Sequence, residues 1–108
     1  MIASAISRLK DELVAWDEYE GREAEEPFAQ TIARAYEAYQ KRLLLVNAMD
    51  FDDLLFFAVR LLRKDPAVRK RWQDRFRYLH VDEYQDTNLP QYELMRLLAG
   101  AHQNLFVI

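Results

Sequence analysis

The sequence contains no cysteine, only two glycines and only three prolines among its 108 residues. The lack of cysteine excludes disulfides, thiolate zinc sites, iron–sulfur clusters and a thiol nucleophile. The two glycines, Gly21 and Gly100, cannot supply either glycine-rich phosphate loop, G-x-x-x-x-G-K-[ST] or G-x-G-x-x-G. The sequence therefore excludes a nucleotide hydrolase that works with a phosphate loop of its own.

Long apolar runs are also absent, and residues 1–20 carry charged side chains throughout. These features argue against a membrane-spanning or secretory segment, so we expect a cytoplasmic protein with no membrane partner. Hydrophobic residues are plentiful, at 51% of the chain, and are sufficient for a core. Together with the shortage of turn residues, they predict one small, mostly helical domain or a piece of one.

Charge is distributed unevenly along the chain. The formal net charge is -3, yet residues 60–77 contain eight basic and two acidic side chains. Such a stretch can bind a polyanion such as nucleic acid, although a solvated helix face is the more common explanation. The candidate phosphate contacts in this basic stretch are Arg69, Lys70, Arg71 and Arg75.

Apolar residues spaced by three and four predict two amphipathic helices in the first half of the chain. The first apolar stripe consists of Ile2, Ile6, Leu9, Leu13 and Trp16. It predicts a helix of about four turns. The second follows an acidic loop that ends at Pro27, and it consists of Phe28, Ile32, Ala35, Tyr36, Tyr39, Leu43 and Val46. We expect the two helices to form an antiparallel pair with both stripes in the core.

Aspartates mark the starts of two further helices. Asp50 or Asp52 is predicted to cap a helix whose buried face comprises Leu54, Leu55, Ala58, Leu61 and Leu62. A metal site made of Asp50, Asp52 and Asp53 is the less favoured alternative, because all three lie within one helical turn. Asp65 followed by Pro66 predicts the start of a basic helix. The residues that this helix is expected to bury are Val68, Trp72 and Phe76.

The last thirty residues read as a strand, a helix and a second strand. Residues 78–81 and 105–108 are short apolar runs typical of strands. Between them, Asn88 and Gln91 are spaced as a capping box, and Gly100 is a C-terminal stop for a helix of about twelve residues. The strands of such a βαβ unit are expected to be parallel neighbours.

Asp82 and Glu83 directly follow the first of these strands. In nucleotide hydrolases, a carboxylate at the end of a strand can hold the Mg²⁺ that bridges two phosphates, and a second one can deprotonate the attacking water. Adjacent side chains diverge, which suits two separate tasks. An acidic pair after a strand more commonly serves only to cap the next helix, so on the pair alone both interpretations stay open and capping is the favoured one.

A longer string is more specific. Asp82-Glu83-Tyr84-Gln85-Asp86-Thr87-Asn88, preceded by Asp50-Phe51-Asp52-Asp53-Leu54-Leu55, closely resembles the UvrD/Rep/PcrA group of superfamily-1 DNA helicases. The resemblance covers the whole chain and includes Tyr36-Glu37-Ala38-Tyr39-Gln40. It implies an α/β fold in which residues 1–48 are a helical part of subdomain 1B. Residues 49–108 would then be part of the RecA-like ATPase domain 1A, a P-loop fold, with its Walker B motif.

The resemblance also implies roles for individual residues. Asp82 would be the Mg²⁺ ligand, and Glu83 the general base for water. Gln85 and Asp86 would link the nucleotide site to the DNA-binding motifs. His80 replaces the aliphatic residue usual before this motif, and we expect it to be packed or hydrogen-bonded rather than catalytic. ATP and Mg²⁺ are the implied cofactors; the implied partners are single-stranded DNA, a duplex junction and the remainder of a helicase chain.

Such helicases also need parts that this sequence lacks, among them the phosphate loop and a second RecA-like domain. We therefore expect a fragment of an ATP-dependent helicase that translocates on single-stranded DNA and unwinds duplexes. Alone, it is expected to be inactive and to hold no tightly bound cofactor. The alternative is a non-catalytic helical module that binds nucleic acid or protein. Without its neighbouring strand, the strand at residues 105–108 would lie on an open sheet edge, which predicts that the fragment self-associates or rearranges this strand.

Overall fold

A computed structural model describes residues 1–22, 25–83, 87–100 and 105–107. Within these ranges the chain is mostly helical and carries a small parallel sheet, as predicted. The helices are α1 (Ile2–Asp11), α2 (Pro27–Leu45), α3 (Phe51–Lys64), α4 (Pro66–Arg75) and α5 (Leu89–Ala99), and the strands are β1 (Leu79–Val81) and β2 (Leu105–Val107). None of the helices in the described ranges is both long enough and apolar enough to cross a membrane.

The chain divides into two compact units, Met1–Leu54 and Leu55–Ile108, so that the boundary falls inside α3. The first unit contains α1, α2 and the first turn of α3, and the second contains the rest of α3, α4, α5 and the sheet. The assignment of residues 1–48 to subdomain 1B and of residues 49–108 to domain 1A stays a prediction.

Helix α1 packs against α2 in the first unit, where Ile6, Ile32 and Tyr36 are buried. The helix ends at Asp11, so the prediction of four turns was wrong. Leu13 has a φ of 61°, a left-handed backbone that cannot continue a right-handed helix. The amide groups of Leu13 and Val14 donate to Lys10 O and Leu9 O at 3.0 and 2.9 Å. This pairing is a Schellman C-terminal motif, here built on a leucine instead of the usual glycine.

Helix α2 begins as predicted, with Pro27 in its first turn and the Glu26 side chain accepting hydrogen bonds from the amides of Phe28 and Ala29. The predicted apolar stripe is core only in its middle, where Ile32 and Tyr36 are buried. The prediction was wrong at the three exposed members, which are Phe28, Tyr39 and Val46. Val46 lies beyond the helix, because Asn47 adopts a φ of 55° and closes it.

The buried face of α3 differs from the prediction. Leu62 is buried as expected, but Leu54 and Leu61 are exposed, and the other buried apolar side chains are Phe56 and Val59. Apolar residues occupy more than one face of this helix, so the sequence pattern alone admits two faces. The prediction therefore holds at Leu62 and is wrong at Leu54 and Leu61, while Leu55 and Ala58 are half-buried.

Helix α4 starts at the predicted signal: the Asp65 side chain accepts hydrogen bonds from the amides of Ala67 and Val68. The helix buries none of its residues completely, which corrects the predicted burial of its apolar face. Val68 and Trp72 are half-buried, and Phe76 is exposed and stacks on Trp72 with ring centroids 5.4 Å apart. The high content of charged side chains explains this shallow packing.

Strands β1 and β2 pair in parallel, as predicted, with His80 opposite Phe106. The connecting helix α5 has the predicted capping box: the Asn88 and Gln91 side chains each accept a hydrogen bond from the other residue's amide, both at 3.0 Å. Gly100 caps the other end, although with a right-handed φ of -58° rather than the left-handed backbone typical of such glycines.

Candidate functional site

Asp82 and Glu83 follow β1 directly and are both exposed. They stand at the carboxyl end of a strand that has a parallel neighbour. In sheets of this type, ligands bind in the crevice beyond the carboxyl ends of the strands. The position of this acidic pair therefore suits contact with a ligand.

The backbone at this acidic pair is unusual. Glu83 has a φ of 52°, and its amide donates to Asp82 Oδ1 at 2.9 Å. Residues other than glycine adopt such left-handed backbones infrequently, and these conformations cluster at functional sites. Within the described part of the chain, Asp82 Oδ2 and the Glu83 carboxylate make no further hydrogen bond. Both carboxylates are thus available to a ligand.

The donor set at Asp82 fits a magnesium ion. Mg²⁺ prefers oxygen ligands and usually combines one or two carboxylates with waters and substrate phosphates. Asp82 offers one exposed carboxylate oxygen without a hydrogen-bond partner in the described ranges. Those ranges contain no group of three or more metal-ligating side chains. An ion at Asp82 would accordingly take most of its ligands from a phosphate substrate and water.

The alternative role of the acidic pair, capping of the next helix, is filled by another residue. Asn88 is the cap of α5, in the exchange with Gln91 described above. Gln85 and Asp86, the predicted link to the DNA-binding motifs, lie outside the described residues. His80 is exposed, and its ring packs edge-on against Phe106 with centroids 5.9 Å apart, in line with the expected packing role.

The four predicted phosphate contacts on α4 have different surroundings. Arg69 Nη1 donates to the backbone oxygen of Leu62 at 3.1 Å. Lys70 pairs with Asp74 at 2.8 Å, and its hydrogen bond lowers the pKa of that carboxyl. Arg75 lies over the Trp72 ring, and Arg71 is exposed. The basic helix therefore does not present these residues as one uniform cluster.

Sequence reasoning missed a buried ionic cluster in the first unit. Lys10 Nζ lies 2.7 Å from Asp50 Oδ2 and 2.9 Å from Asp53 Oδ1. The amide of Asp53 donates to Asp50 Oδ1 at 2.8 Å, which confirms Asp50 as a cap of α3. A sequence signal existed, because Lys10 lies four residues after Ile6 and so shares its buried helix face. This lysine satisfies two of the three carboxylates that formed the alternative metal site.

Hydrogen bonding in this cluster shifts two pKa values. Burial alone would raise the pKa of Asp50, but hydrogen bonds from Lys10, Tyr39 and the amide of Asp53 outweigh it, and the pKa is lowered. The hydrogen bond from the Tyr39 hydroxyl to Asp50, at 2.8 Å, raises the pKa of Tyr39 to about 12. The cluster therefore keeps Asp50 charged and Tyr39 neutral at physiological pH.

A second ionic cluster, also missed, lies in the other unit. Arg63 Nη2 and Arg96 Nη2 lie 2.8 and 2.9 Å from the same oxygen of Glu93, Oε2. The hydrogen bonds from Arg96 and then Arg63 lower the pKa of Glu93 to about 2. The pairing of Arg96 and Glu93 was readable from their spacing of three residues on α5, but Arg63 comes from a distant part of the sequence.

Comparison with known proteins agrees with the sequence motifs. The family model described as the UvrD/REP helicase N-terminal domain matches residues 1–108. The ATP-dependent DNA helicases PcrA of Staphylococcus epidermidis and Staphylococcus aureus are 42% and 43% identical to this chain over 108 residues. The match covers all of this chain and 15% of each relative, so the chain spans about one seventh of their length. The chain belongs to the UvrD/REP helicase family, in the region of its N-terminal domain.

Proposed function

We propose that this chain carries the magnesium ligand and the general base of an ATP-dependent DNA helicase, and that these are Asp82 and Glu83. The observation that carries the proposal is the position of the two exposed carboxylates at the carboxyl end of β1, with a left-handed backbone at Glu83. Membership of the UvrD/REP family supports it, as do two relatives that are named ATP-dependent DNA helicases.

In this proposal the two carboxylates have separate tasks. The free oxygen of Asp82 would hold Mg²⁺, which, when bound, neutralises charge on the nucleotide phosphates. Glu83 orients a water molecule and accepts its proton as the water oxygen bonds to the terminal phosphorus of ATP, while the bond from that phosphorus to the bridging oxygen breaks and ADP leaves. The hydrogen bond from the Glu83 backbone amide to Asp82 Oδ1 orients the Asp82 carboxylate against the backbone that carries Glu83.

The larger context belongs to the proposal as well. We assign β1, α5 and β2 to a RecA-like P-loop domain, 1A, and residues 1–48 to subdomain 1B. Gln85 and Asp86 would connect the nucleotide site to DNA, and the whole helicase would translocate on single-stranded DNA and separate duplexes. Because the sequence has no phosphate loop, this chain alone should neither hydrolyse ATP nor hold Mg-ATP tightly.

The test places substitutions in a full-length helicase that contains this chain. Glu83→Gln should lower the ATP turnover number about 100-fold or more, since it removes a general base. Nucleotide binding should persist, because the magnesium ligand is intact. Asp82→Ala should weaken magnesium-dependent nucleotide binding as well. Glu12→Gln, a change of the same kind at an exposed glutamate after α1, is the control and should leave both properties unchanged.

Two results would contradict the proposal. Normal turnover in the Glu83→Gln helicase would remove Glu83 from the mechanism. If the 108-residue chain alone hydrolysed ATP and lost this activity in its Glu83→Gln variant, the need for a separate phosphate loop would be refuted. The alternative of a non-catalytic module required the acidic pair to cap α5, and Asn88 fills that role. We therefore favour the helicase assignment.

A further inference from the structure

A cavity of about 350 Å³ opens on the second unit, and neither Asp82 nor Glu83 is among its lining residues. Its lining residues come from α3, α4 and the end of α5, and they are Arg63, Arg69, Gln73, Arg96, Leu97 and Gly100. Half of them are arginines, and only Leu97 is a large apolar side chain. A cavity lined in this way offers hydrogen-bond donors and positive charge.

The arginines are held in place by groups around the cavity. Arg63 and Arg96 share one oxygen of the buried Glu93, and Arg69 donates to the Leu62 carbonyl. A guanidinium has five N–H donors, and in the described part of the chain these contacts use one on Arg63, one on Arg69 and two on Arg96. Each arginine thus keeps several donors for a ligand.

The charge balance at the cavity is positive. Glu93 stays ionised and offsets one of the three guanidinium charges, which leaves an excess of two. The carbonyl of Leu97, at the negative end of α5, accepts a hydrogen bond from Gln73 Nε2 at 2.7 Å. That bond satisfies one terminal carbonyl of α5, and the attraction for an anion must come from the arginines, because the end of the helix itself favours cations. Preordered arginines bind oxyanions well, because little side-chain entropy remains to be lost.

We propose that Arg63, Arg69 and Arg96 form a binding site for a phosphate group, and that the phosphate belongs to a DNA backbone. The choice of DNA rests on the proposed function. The side chains of Arg63 and Arg96 are 43% and 56% exposed, so a polymer at the surface can reach both of them. None of the described residues that line the cavity is aromatic, so they offer no ring on which a base could stack, which indicates a contact that is independent of sequence.

The test measures binding of a fluorescent oligo(dT) to the 108-residue chain by anisotropy, at several salt concentrations and without nucleotide. Arg69→Gln should weaken binding several-fold and reduce the slope of log affinity against log salt by about one unit. Arg63→Gln, on another helix, should do the same. Arg77→Gln removes an exposed guanidinium of the same unit outside the cavity, and as the control it should change little. Circular dichroism checks that each variant is folded.

Several outcomes would overturn the proposal. Equal losses in Arg69→Gln and Arg77→Gln would indicate diffuse attraction rather than a site. The site would be assigned to a free phosphate if Arg69→Gln and Arg63→Gln weakened the binding of inorganic phosphate but left the binding of oligo(dT) unchanged. The result is also independent of hydrolysis: the Glu83→Gln variant of the chain should bind oligo(dT) like the wild type. Failure of the helicase mechanism can thus be told apart from failure of this site.

Discussion

Lys10 Nζ lies 2.9 Å from Asp53 Oδ1, and both side chains are 1% exposed. The pair joins α1 to the first turn of α3 within the first unit, and Asp53 also accepts hydrogen bonds from Gln40 Nε2. An ion pair taken out of water contributes little net stability while intact, yet removal of one partner leaves a buried charge without compensation.

We expect Lys10→Met to lower the free energy of unfolding by roughly 3–5 kcal/mol, the usual cost of breaking a buried ion pair. Chemical denaturation monitored by circular dichroism measures this change. Lys41→Met is the matched control, because Lys41 pairs with Glu37 while remaining 59% exposed, and it should cost less than about 1 kcal/mol. Similar costs for the two variants would show that the Lys10 cluster is not effectively buried.

Loss of the α5 cap should lower the free energy of unfolding by less than Lys10→Met does. Asn88→Ala should destabilise the chain by about 1 kcal/mol, whereas Asn88→Ser should retain most of the stability because serine is also a good cap. The reciprocal bonds with Gln91 predict that the loss in the Asn88→Ala, Gln91→Ala double variant is smaller than the sum of the single losses. Strict additivity in thermal or chemical unfolding would contradict the capping box.

The acid sensitivity of the second unit should depend on Glu93. Its pKa is lowered from 4.5 to about 2, first by Arg96 and then by Arg63. A carboxyl with a lowered folded-state pKa stabilises fully above its unfolded pKa, and that stability is lost as the pH falls through the folded value. We therefore expect the unfolding free energy to fall between pH 4.5 and about pH 2, and Glu93→Gln to remove part of this dependence. An unchanged pH profile in Glu93→Gln would contradict the prediction, and Glu12→Gln serves as the control.

Self-association of the chain remains a prediction, and the sheet provides its test. Phe106 on β2 is 70% exposed, and in the described part of the chain β2 pairs only with β1. A charged side chain on an open edge discourages pairing with another chain. Phe106→Lys should thus reduce association in a sedimentation dilution series, while Leu44→Lys, at an exposed leucine of α2, should not. A monomeric wild type at every concentration would refute the prediction.

Helix starts were predictable from the sequence, whereas helix ends were less so. A start depends on local chemistry, such as the aspartate and proline before α4 or Asn88 before α5. The end of α1 depends on Leu13, a residue type that seldom adopts a left-handed backbone. A leucine therefore does not predict the end of a helix in the way that a glycine does.

The candidate sites show the same difference between local and distant determinants. Asp82 and Glu83 could be named from a motif of adjacent residues. For the buried Lys10 cluster and the arginine cavity, local spacing indicates only part of each group, because Lys10 meets Asp50 and Asp53, and Arg63 meets Glu93, from distant parts of the sequence. Arg69 was named in advance as a basic residue, but its neighbours in the cavity are Arg63 and Arg96 rather than the adjacent Lys70 and Arg71.

The left-handed backbone of Glu83 has a consequence for engineering. Glycine and asparagine tolerate a φ of 52° better than glutamate does, so either substitution should relieve local strain. A laboratory selection for thermal stability would then favour variants that discard the carboxylate, and a selection for ATP turnover in a full-length helicase would restore it. Directed evolution for thermal stability and directed evolution for ATP turnover should consequently select different residues at position 83.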